Sequence, residues 1–458
     1  MWESLLILFK RRPILALAVP FWLLRGRAHL KAKLAASVEI DAASLPRNEA
    51  FLVYLRAEKS AGRDLYLVTA SDARPAELVG REMGLFREVL GSNGTINLRG
   101  RNKGATLAQR FGERGFDYAG NSAVDLPVWA WAREAIVVNA APGLERRARR
   151  AAPVSRVFPP EHSPLRAFVR ALRPHQWAKN LIVFVPLLTS HKILQPAPAL
   201  KSLAAFSAFC LCASAGYLLN DLFDIQADRA HPTKRRRPFA SGDLPIPAGL
   251  VAAPLLLAGS AAIGVELAPR FAAALGIYLV LTTVYSMRVK QVPLLDVFFL
   301  SALYTLRLAA GHEATGIAYS FWLLAFSVFI FLSLALVKRF AELDAADTRS
   351  VSEIKGRSYT PADRSWVATL GAASGCVAVL VLALYVNSHE VTELYQRPLR
   401  LLLICPLMLY WISRMWMMAH RGQMHEDPVV FALRDRVSYL VGALTLVVIW
   451  LATAPAPL

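Results

Sequence analysis

The run Asn220-Asp221-Leu222-Phe223-Asp224-Ile225-Gln226-Ala227-Asp228 spaces three carboxylates at i, i+3 and i+7. On a continuous helix, Asp221, Asp224 and Asp228 would share one face and repel one another. A divalent cation relieves that repulsion, and Mg2+ held by one or two carboxylates plus substrate phosphates is the usual arrangement for diphosphate chemistry. Behind His231-Pro232-Thr233 comes a basic run, Lys234-Arg235-Arg236-Arg237, which can bind phosphate oxygens or simply set membrane topology. Further donors recur in Arg173, Gln176, Lys179 and Asn180, in Tyr285 and Lys290 ahead of Asp296 and Arg307, and in Lys338, Arg339 and Glu342. The first group can hold phosphate oxygens at a membrane mouth or anchor the interface beside Trp177. Asp296 and Arg307, placed in or near the bilayer, are expected to face a bundle interior. Lys338, Arg339 and Glu342 are spaced so that a helix could aim them into one cavity, or they could cap a helix end.

The elements that must position these groups are membrane spans. Of the 458 residues, 55% are hydrophobic and only 19% charged, which is not a soluble composition. Lys and Arg number 52 against 33 Asp and Glu, a net charge of +19 that points to anionic headgroups or phosphorylated substrates rather than nucleic acid. Cys210, Cys212, Cys376 and Cys405 lie in apolar runs without the spacing of a zinc site or a disulfide framework. A span takes about 20 apolar residues, and nine stretches qualify: 177–194, 199–219, 246–265, 269–287, 292–311, 319–337, 366–387, 399–418 and 436–454. With the N-terminus inside, the cytoplasmic loops carry sixteen Lys and Arg, Arg349, Lys355 and Arg357 among them, against five on the other side, as the positive-inside rule requires. The expectation is therefore an all-α multi-pass bundle of about nine transmembrane helices in the cell (inner) membrane. Its lipid partner is the bilayer, its acidic motif is cytoplasmic, and its oligomeric state is not legible.

Ahead of the spans the composition changes. Residues 1–145 read as a cytoplasmic α/β domain, 146–164 as a basic linker rich in arginine and proline, and 165–458 as the membrane part. Ile14 to Leu24 is apolar, but it is broken by Pro20, too short to span, and without a small-residue cleavage site.

Taken together, the membrane clusters resemble the UbiA-type superfamily of intramembrane prenyltransferases, nine-helix bundles with acidic motifs at a cytoplasmic-side cavity. The likeness covers residues 165–454, and Asn220-Asp221-xx-Asp224-xxx-Asp228 is its specific part. It implies that Asn220, Asp221, Asp224 and Asp228 bind Mg2+ and a donor diphosphate. Aromatic-substrate members carry a second acidic motif after the sixth span, where this chain has Lys338-Arg339-xx-Glu342. With Arg173, Gln176, Asn180 and His231-Pro232-Thr233-Lys234-Arg235, that departure resembles the branch containing decaprenyl-phosphate phosphoribosyltransferases. The implied substrates are a polyprenyl phosphate and a phosphorylated donor, phosphoribosyl pyrophosphate. Lys179, Lys338 and Arg339 would then hold the lipid phosphate or the ribose 5-phosphate, in keeping with three phosphate groups wanting cations. The alternative is transfer of a polyprenyl group from its diphosphate to an aromatic acceptor. A transporter fits poorly, because the charges gather at one membrane face and no inverted repeat of broken helices is visible.

The N-terminal part resembles the haloacid dehalogenase-like phosphatases through strand-like Leu65 to Ser71, Lys103, and Asp117-Tyr118-Ala119-Gly120-Asn121-Ser122-xx-Asp125. The likeness puts Thr69 at a phosphate-holding strand end, Lys103 beside it and Asp125 near Mg2+. The DxDGT nucleophile loop is missing and Asn121 replaces an expected Asp, so no covalent phosphoenzyme can form. The site is therefore expected to be degenerate: either a non-catalytic remnant that steadies or regulates the membrane part, or a domain whose natural start lies upstream.

Overall fold

The computed structural model describes residues 1–38, 41–92, 97–347, 358–388, 391, 394–424 and 427–453. The loop cations Arg349, Lys355 and Arg357 lie outside the described residues. The chain forms two compact units, Met1–Leu172 with Leu218–Ala252, and Arg173–Tyr217 with Ala253–Leu458.

The first unit holds five short strands: β1 (Tyr66–Asp72), β2 (Glu88–Ser92), β3 (Asp117–Gly120), β4 (Glu134–Val138) and β5 (Val154–Phe158). β1 pairs with β2 in one sheet, and a second sheet has the order β3-β4-β5. Every pairing is parallel, so each return needs a crossover. Ala73–Met83 supplies it between β1 and β2, and Leu144–Ala151 between β4 and β5. Ala135, Ile136 and Val137 of β4 are buried, as an apolar run in a covered parallel sheet should be, and Ala135 and Val137 share a core with Trp129, Leu144 and Ala148.

That core overturns the linker expected at 146–164. Leu144, Ala148 and Ala152 recur every four residues and are buried, while Arg146, Arg147, Arg149 and Arg150 between them are exposed. The arginine-rich stretch is thus the wet face of an amphipathic helix, and the next residues form β5. Thr69 also differs from expectation: it lies inside β1 rather than at its end.

The same unit contains the helix Trp2–Arg11, which buries Leu6, Ile7 and Leu8. Leu8 packs with Leu30 and Leu34 of Arg27–Ser37.

Seven helices are long and apolar enough to cross a membrane by length and composition among the described residues: Pro196–Phe223, Ile246–Leu267, Pro269–Met287, Phe321–Ala345, Pro361–Val386, Pro398–His420 and Arg436–Thr453. Two of the nine expected spans take other forms. Residues 177–194 divide into a 3-10 stretch, Pro174–Phe184, and a short helix, Val185–Thr189, the division falling beside Pro186, which lacks a backbone donor. The fifth is one unbroken helix, Leu295–Thr315, which buries Asp296, Arg307 and His312.

Close helix packing in the second unit depends on glycine at a few points. A Cβ on Gly311 would fall 2.3 Å from the Val183 carbonyl oxygen. Its absence lets Leu295–Thr315 lie against the 3-10 stretch one turn from Arg307. Likewise Gly371 and Gly375 of Arg364–Val386 admit Trp416 and Ile412, whose atoms a Cβ would meet at 2.1 and 2.6 Å. This small-xxx-small spacing is the usual means of close helix approach in lipid.

Candidate functional site

The first unit contains the acidic motif. The helix Pro196–Phe223 ends just before Asp224, whose φ of −103° and ψ of 9° interrupt the helical run before Ile225–Arg229. Asp221 and Asp228 remain together and buried, each accepting a hydrogen bond from Nη1 of Arg237, at 3.1 and 2.8 Å. Asp224 parts from them. Its Oδ1 accepts from Lys10 Nζ at 2.8 Å, and the same ammonium donates to the Phe223 carbonyl at 2.8 Å. The expected three-carboxylate face is therefore a two-carboxylate pair, because the helix breaks at the middle residue. No group of three or more His, Cys, Asp or Glu is gathered to hold a metal among the described residues.

Neighbouring groups fix this arrangement. Arg229 donates to Glu3 Oε1 at 2.7 Å and to the Ala240 carbonyl at 3.2 Å. Arg11 reaches Gln226 Oε1 at 3.4 Å. Phe239, buried against Gly249 of the Ile246–Leu267 helix, anchors the returning loop, so that Arg237 points back to the carboxylates. Lys234 and Arg235, both expected to bind substrate, are exposed on a 3-10 turn. Asn220 lies one residue before Asp221, and its carbonyl accepts the Asp224 N–H at 3.0 Å.

The fit of a divalent ion can be judged from these atoms. Two buried carboxylates that converge on a single cationic nitrogen form a donor set suited to Mg2+, which is commonly held by one or two carboxylates with substrate phosphates. The pair fits; Asp224, already matched by Lys10, stands outside it.

In the second unit Lys179 and Lys338 meet on one carboxylate. Asp427 Oδ2 accepts from Lys179 Nζ at 2.7 Å and from Lys338 Nζ at 3.2 Å. Its Oδ1 accepts from the Tyr304 hydroxyl at 3.1 Å and the Val429 N–H at 3.2 Å, the latter as N-cap of Pro428–Ala432. Burial alone would raise this carboxyl's pKa, but the ammoniums of Lys338 and Lys179 outweigh it and hold Asp427 well below the usual carboxylate range. Close by, buried Arg307 donates to Asn180 Oδ1 at 2.9 Å, the Tyr278 hydroxyl at 3.0 Å and the Leu303 carbonyl at 2.7 Å. Its guanidinium also lies over the rings of Tyr278 and Tyr304.

Arg339 departs from the phosphate-binding role expected of it. Fully buried, it is ion-paired with Asp296 and with Glu342. Tyr359 donates to Asp296 at 2.7 Å and receives the Leu294 N–H at 2.7 Å. Two carboxylates thus hold the guanidinium, with its carbon 5.3 Å from the Tyr359 ring centre, as an internal brace. Tyr285 is half-buried within electrostatic reach of Arg339 and Lys338. Lys290 is half-buried on the 3-10 turn Val289–Gln291. Arg173 stacks on Tyr217 with its guanidinium carbon 4.9 Å from the ring centre, and the Gln176 N–H bonds the Arg173 carbonyl.

The residues expected to form a phosphatase-like site are partly gathered. Lys103 Nζ donates to the Tyr118 hydroxyl at 2.7 Å and lies 3.8 Å from Asp125 Oδ1. Asp125 also accepts the backbone N–H groups of Asn121 and Ser122, at 3.1 and 3.0 Å, and the Tyr118 hydroxyl at 3.2 Å. Burial lowers the Lys103 pKa, with Asp125 opposing, and raises that of Tyr118, with Asp125 assisting. The expected metal ligand Asp125 thus serves as a local cap. Thr69 accepts the Ser71 N–H at 3.1 Å within its own strand.

A family model described as the UbiA prenyltransferase family matches residues 183–434. The uncharacterized protein y4nM of Sinorhizobium fredii is 40% identical over 431 residues, 93% of this chain and 83% of that protein. Nodulation protein NoeC of Azorhizobium caulinodans is 38% identical over 277 residues, 59% of this chain and 88% of that protein. The decaprenyl-phosphate phosphoribosyltransferase of Mycobacterium tuberculosis is 32% identical over 298 residues, 63% of this chain and 93% of that protein.

Proposed function

Because the chain belongs to the UbiA prenyltransferase family, we propose that this multi-pass transferase moves a phosphoribosyl group from phosphoribosyl pyrophosphate to a polyprenyl phosphate. The observation that carries the reading is the pairing of Lys338 with Lys179 on Asp427. Where an aromatic-substrate member would offer carboxylates after the sixth expected span, this chain offers an ammonium backed by a second one. A site for three phosphate groups gains from such cations, whereas a site for one diphosphate gains from metal-binding carboxylates. The likeness to a relative named decaprenyl-phosphate phosphoribosyltransferase over nearly all of that protein supports the same reading.

In the reaction a lipid phosphate oxygen attacks the anomeric carbon of the ribose, the bond from that carbon to the pyrophosphate oxygen breaks, and pyrophosphate leaves with the electron pair. The phosphate nucleophile is already anionic, so no general base is required. Asp221 and Asp228 are the residues that would hold Mg2+, which when bound supplies neutralising charge to the departing pyrophosphate. Arg237 keeps those two carboxylates compensated, and Lys179 and Lys338 bind and orient a phosphate. Arg339, braced by Asp296 and Glu342, fixes the helix that bears Lys338. For the N-terminal part we infer a haloacid dehalogenase-like domain, a reading supported by its parallel strands and the buried Lys103–Asp125 pair.

The test is transfer of label. Protein in detergent with Mg2+, decaprenyl phosphate and ribose-labelled phosphoribosyl pyrophosphate should move the label into the organic-extractable fraction. Label that stays aqueous, with lipid product formed only from a prenyl diphosphate and an aromatic acid, overturns the reading.

A further inference from the structure

The Asp427 carboxylate is not part of the acidic motif, yet it organises the cations of the second unit. One of its oxygens binds both ammoniums, while the other is pinned by the Tyr304 hydroxyl and the Val429 N–H. This anchoring on both oxygens makes it a fixed post rather than a swinging counter-ion. The lysines remain reachable: the Lys338 side chain is 29% exposed and that of Lys179 14%, against 10% for Asp427. Arg307, whose recorded hydrogen bonds all go to neutral acceptors, shares Tyr304 with Asp427. Two ammoniums therefore share one carboxylate, with Arg307 on the far side of Tyr304, and the surplus positive charge in a largely buried setting favours an anion.

We propose that Asp427 is a positioning residue that holds Lys179 and Lys338 together as one subsite for a phosphate monoester. It acts through the lysines and does not touch the substrate. The inference rests on the phosphoribosyl-transfer reading for its substrates, of which two carry such a group: the lipid phosphate and the ribose 5-phosphate. A carboxylate at this place keeps two like charges side by side before the substrate arrives, so the phosphate meets a preformed pair.

The experiment measures binding of farnesyl monophosphate and ribose 5-phosphate to the full-length protein in detergent by calorimetry, alongside steady-state turnover. Asp427→Asn should weaken one of the two probes at least tenfold and raise the KM for the matching substrate comparably, with kcat changed less than threefold. Asp427→Glu should recover part of the affinity. Once Lys179 and Lys338 are both replaced by Met, Asp427→Asn should cause no further loss. A change confined to farnesyl monophosphate assigns the subsite to the lipid, and one confined to ribose 5-phosphate assigns it to the donor. Unchanged binding of both probes in folded Asp427→Asn overturns the inference, as does a full additional loss in the double-lysine background. If Asp427→Asn does not fold, Lys179→Gln and Lys338→Gln decide: weakening of the same probe supports one subsite, and weakening of different probes refutes it. Failure of label transfer in the unmutated protein would refute the assigned function and leave these binding results to judge the subsite independently.

Discussion

Arg237 carries the electrostatics of the acidic motif, since a single nitrogen compensates two buried carboxylates. Removing one partner of a buried ionic cluster costs about 3–5 kcal/mol, mostly through the charges left behind. Arg237→Met should therefore lower the thermal midpoint in metal-free buffer. A ligand that binds only the folded form restores stability by mass action, so excess MgCl2 should raise that midpoint further in the variant than in the unmutated protein. Differential scanning fluorimetry with and without MgCl2 checks this, and equal shifts would count against a metal role for Asp221 and Asp228. At this scale the sequence was informative about residue type and less so about partners. The Asp221 and Asp228 pair is legible in its spacing, but the departure of Asp224 depends on a helix break and on Lys10, more than 200 residues away in the chain. Lys234, Arg235, Arg236 and Arg237 look alike in sequence, and only the fold of the following loop selects Arg237. Spacing alone does not single out Asp427, although an aspartate before Pro428 is a recognisable helix N-cap signal. In sequence Arg339 has the look of a phosphate ligand, because nothing there matches Asp296 to it.

At the level of elements, the spacing Gly371-xxx-Gly375 sets how closely Arg364–Val386 approaches Ile404–His420. The Trp416 indole occupies the room a side chain would need and donates to Ser333 Oγ at 3.2 Å. Ser333, on the helix that bears Lys338 and Arg339, in turn donates to the Gly371 carbonyl at 2.7 Å. Gly371→Val should overpack this junction and destabilise the protein by about 1–3 kcal/mol. A thermal midpoint within error of the unmutated protein would show that the junction is looser than described. Long apolar runs made most spans legible, since a stretch of about 20 apolar residues has few other uses. The same signal marks helix Leu295–Thr315, but not the satisfaction of its buried Arg307 by Asn180 and Tyr278, because those partners come from other elements. The arginine-rich stretch after Glu145 misled for the opposite reason: its charges hid the buried stripe of Leu144, Ala148 and Ala152.

For the whole molecule, the sequence showed a change in composition near residue 165, whereas the compact units divide elsewhere. Residues 218–252, with the acidic motif, belong to the same unit as the N-terminal α/β part. The ties are specific: Lys10 to Asp224, Glu3 to Arg229 and Arg11 to Gln226. Hydropathy could not reveal them, because it registers apolar length and not the pairing of distant charges. Pyrophosphate release is the most direct measure of the phosphoribosyl transfer. Purified protein in detergent with Mg2+ should release pyrophosphate only when both phosphoribosyl pyrophosphate and a polyprenyl phosphate are present, and Asp221→Ala should reduce that release at least a hundredfold. Release from a prenyl diphosphate and an aromatic acid, with none from the phosphoribosyl pair, would contradict the account.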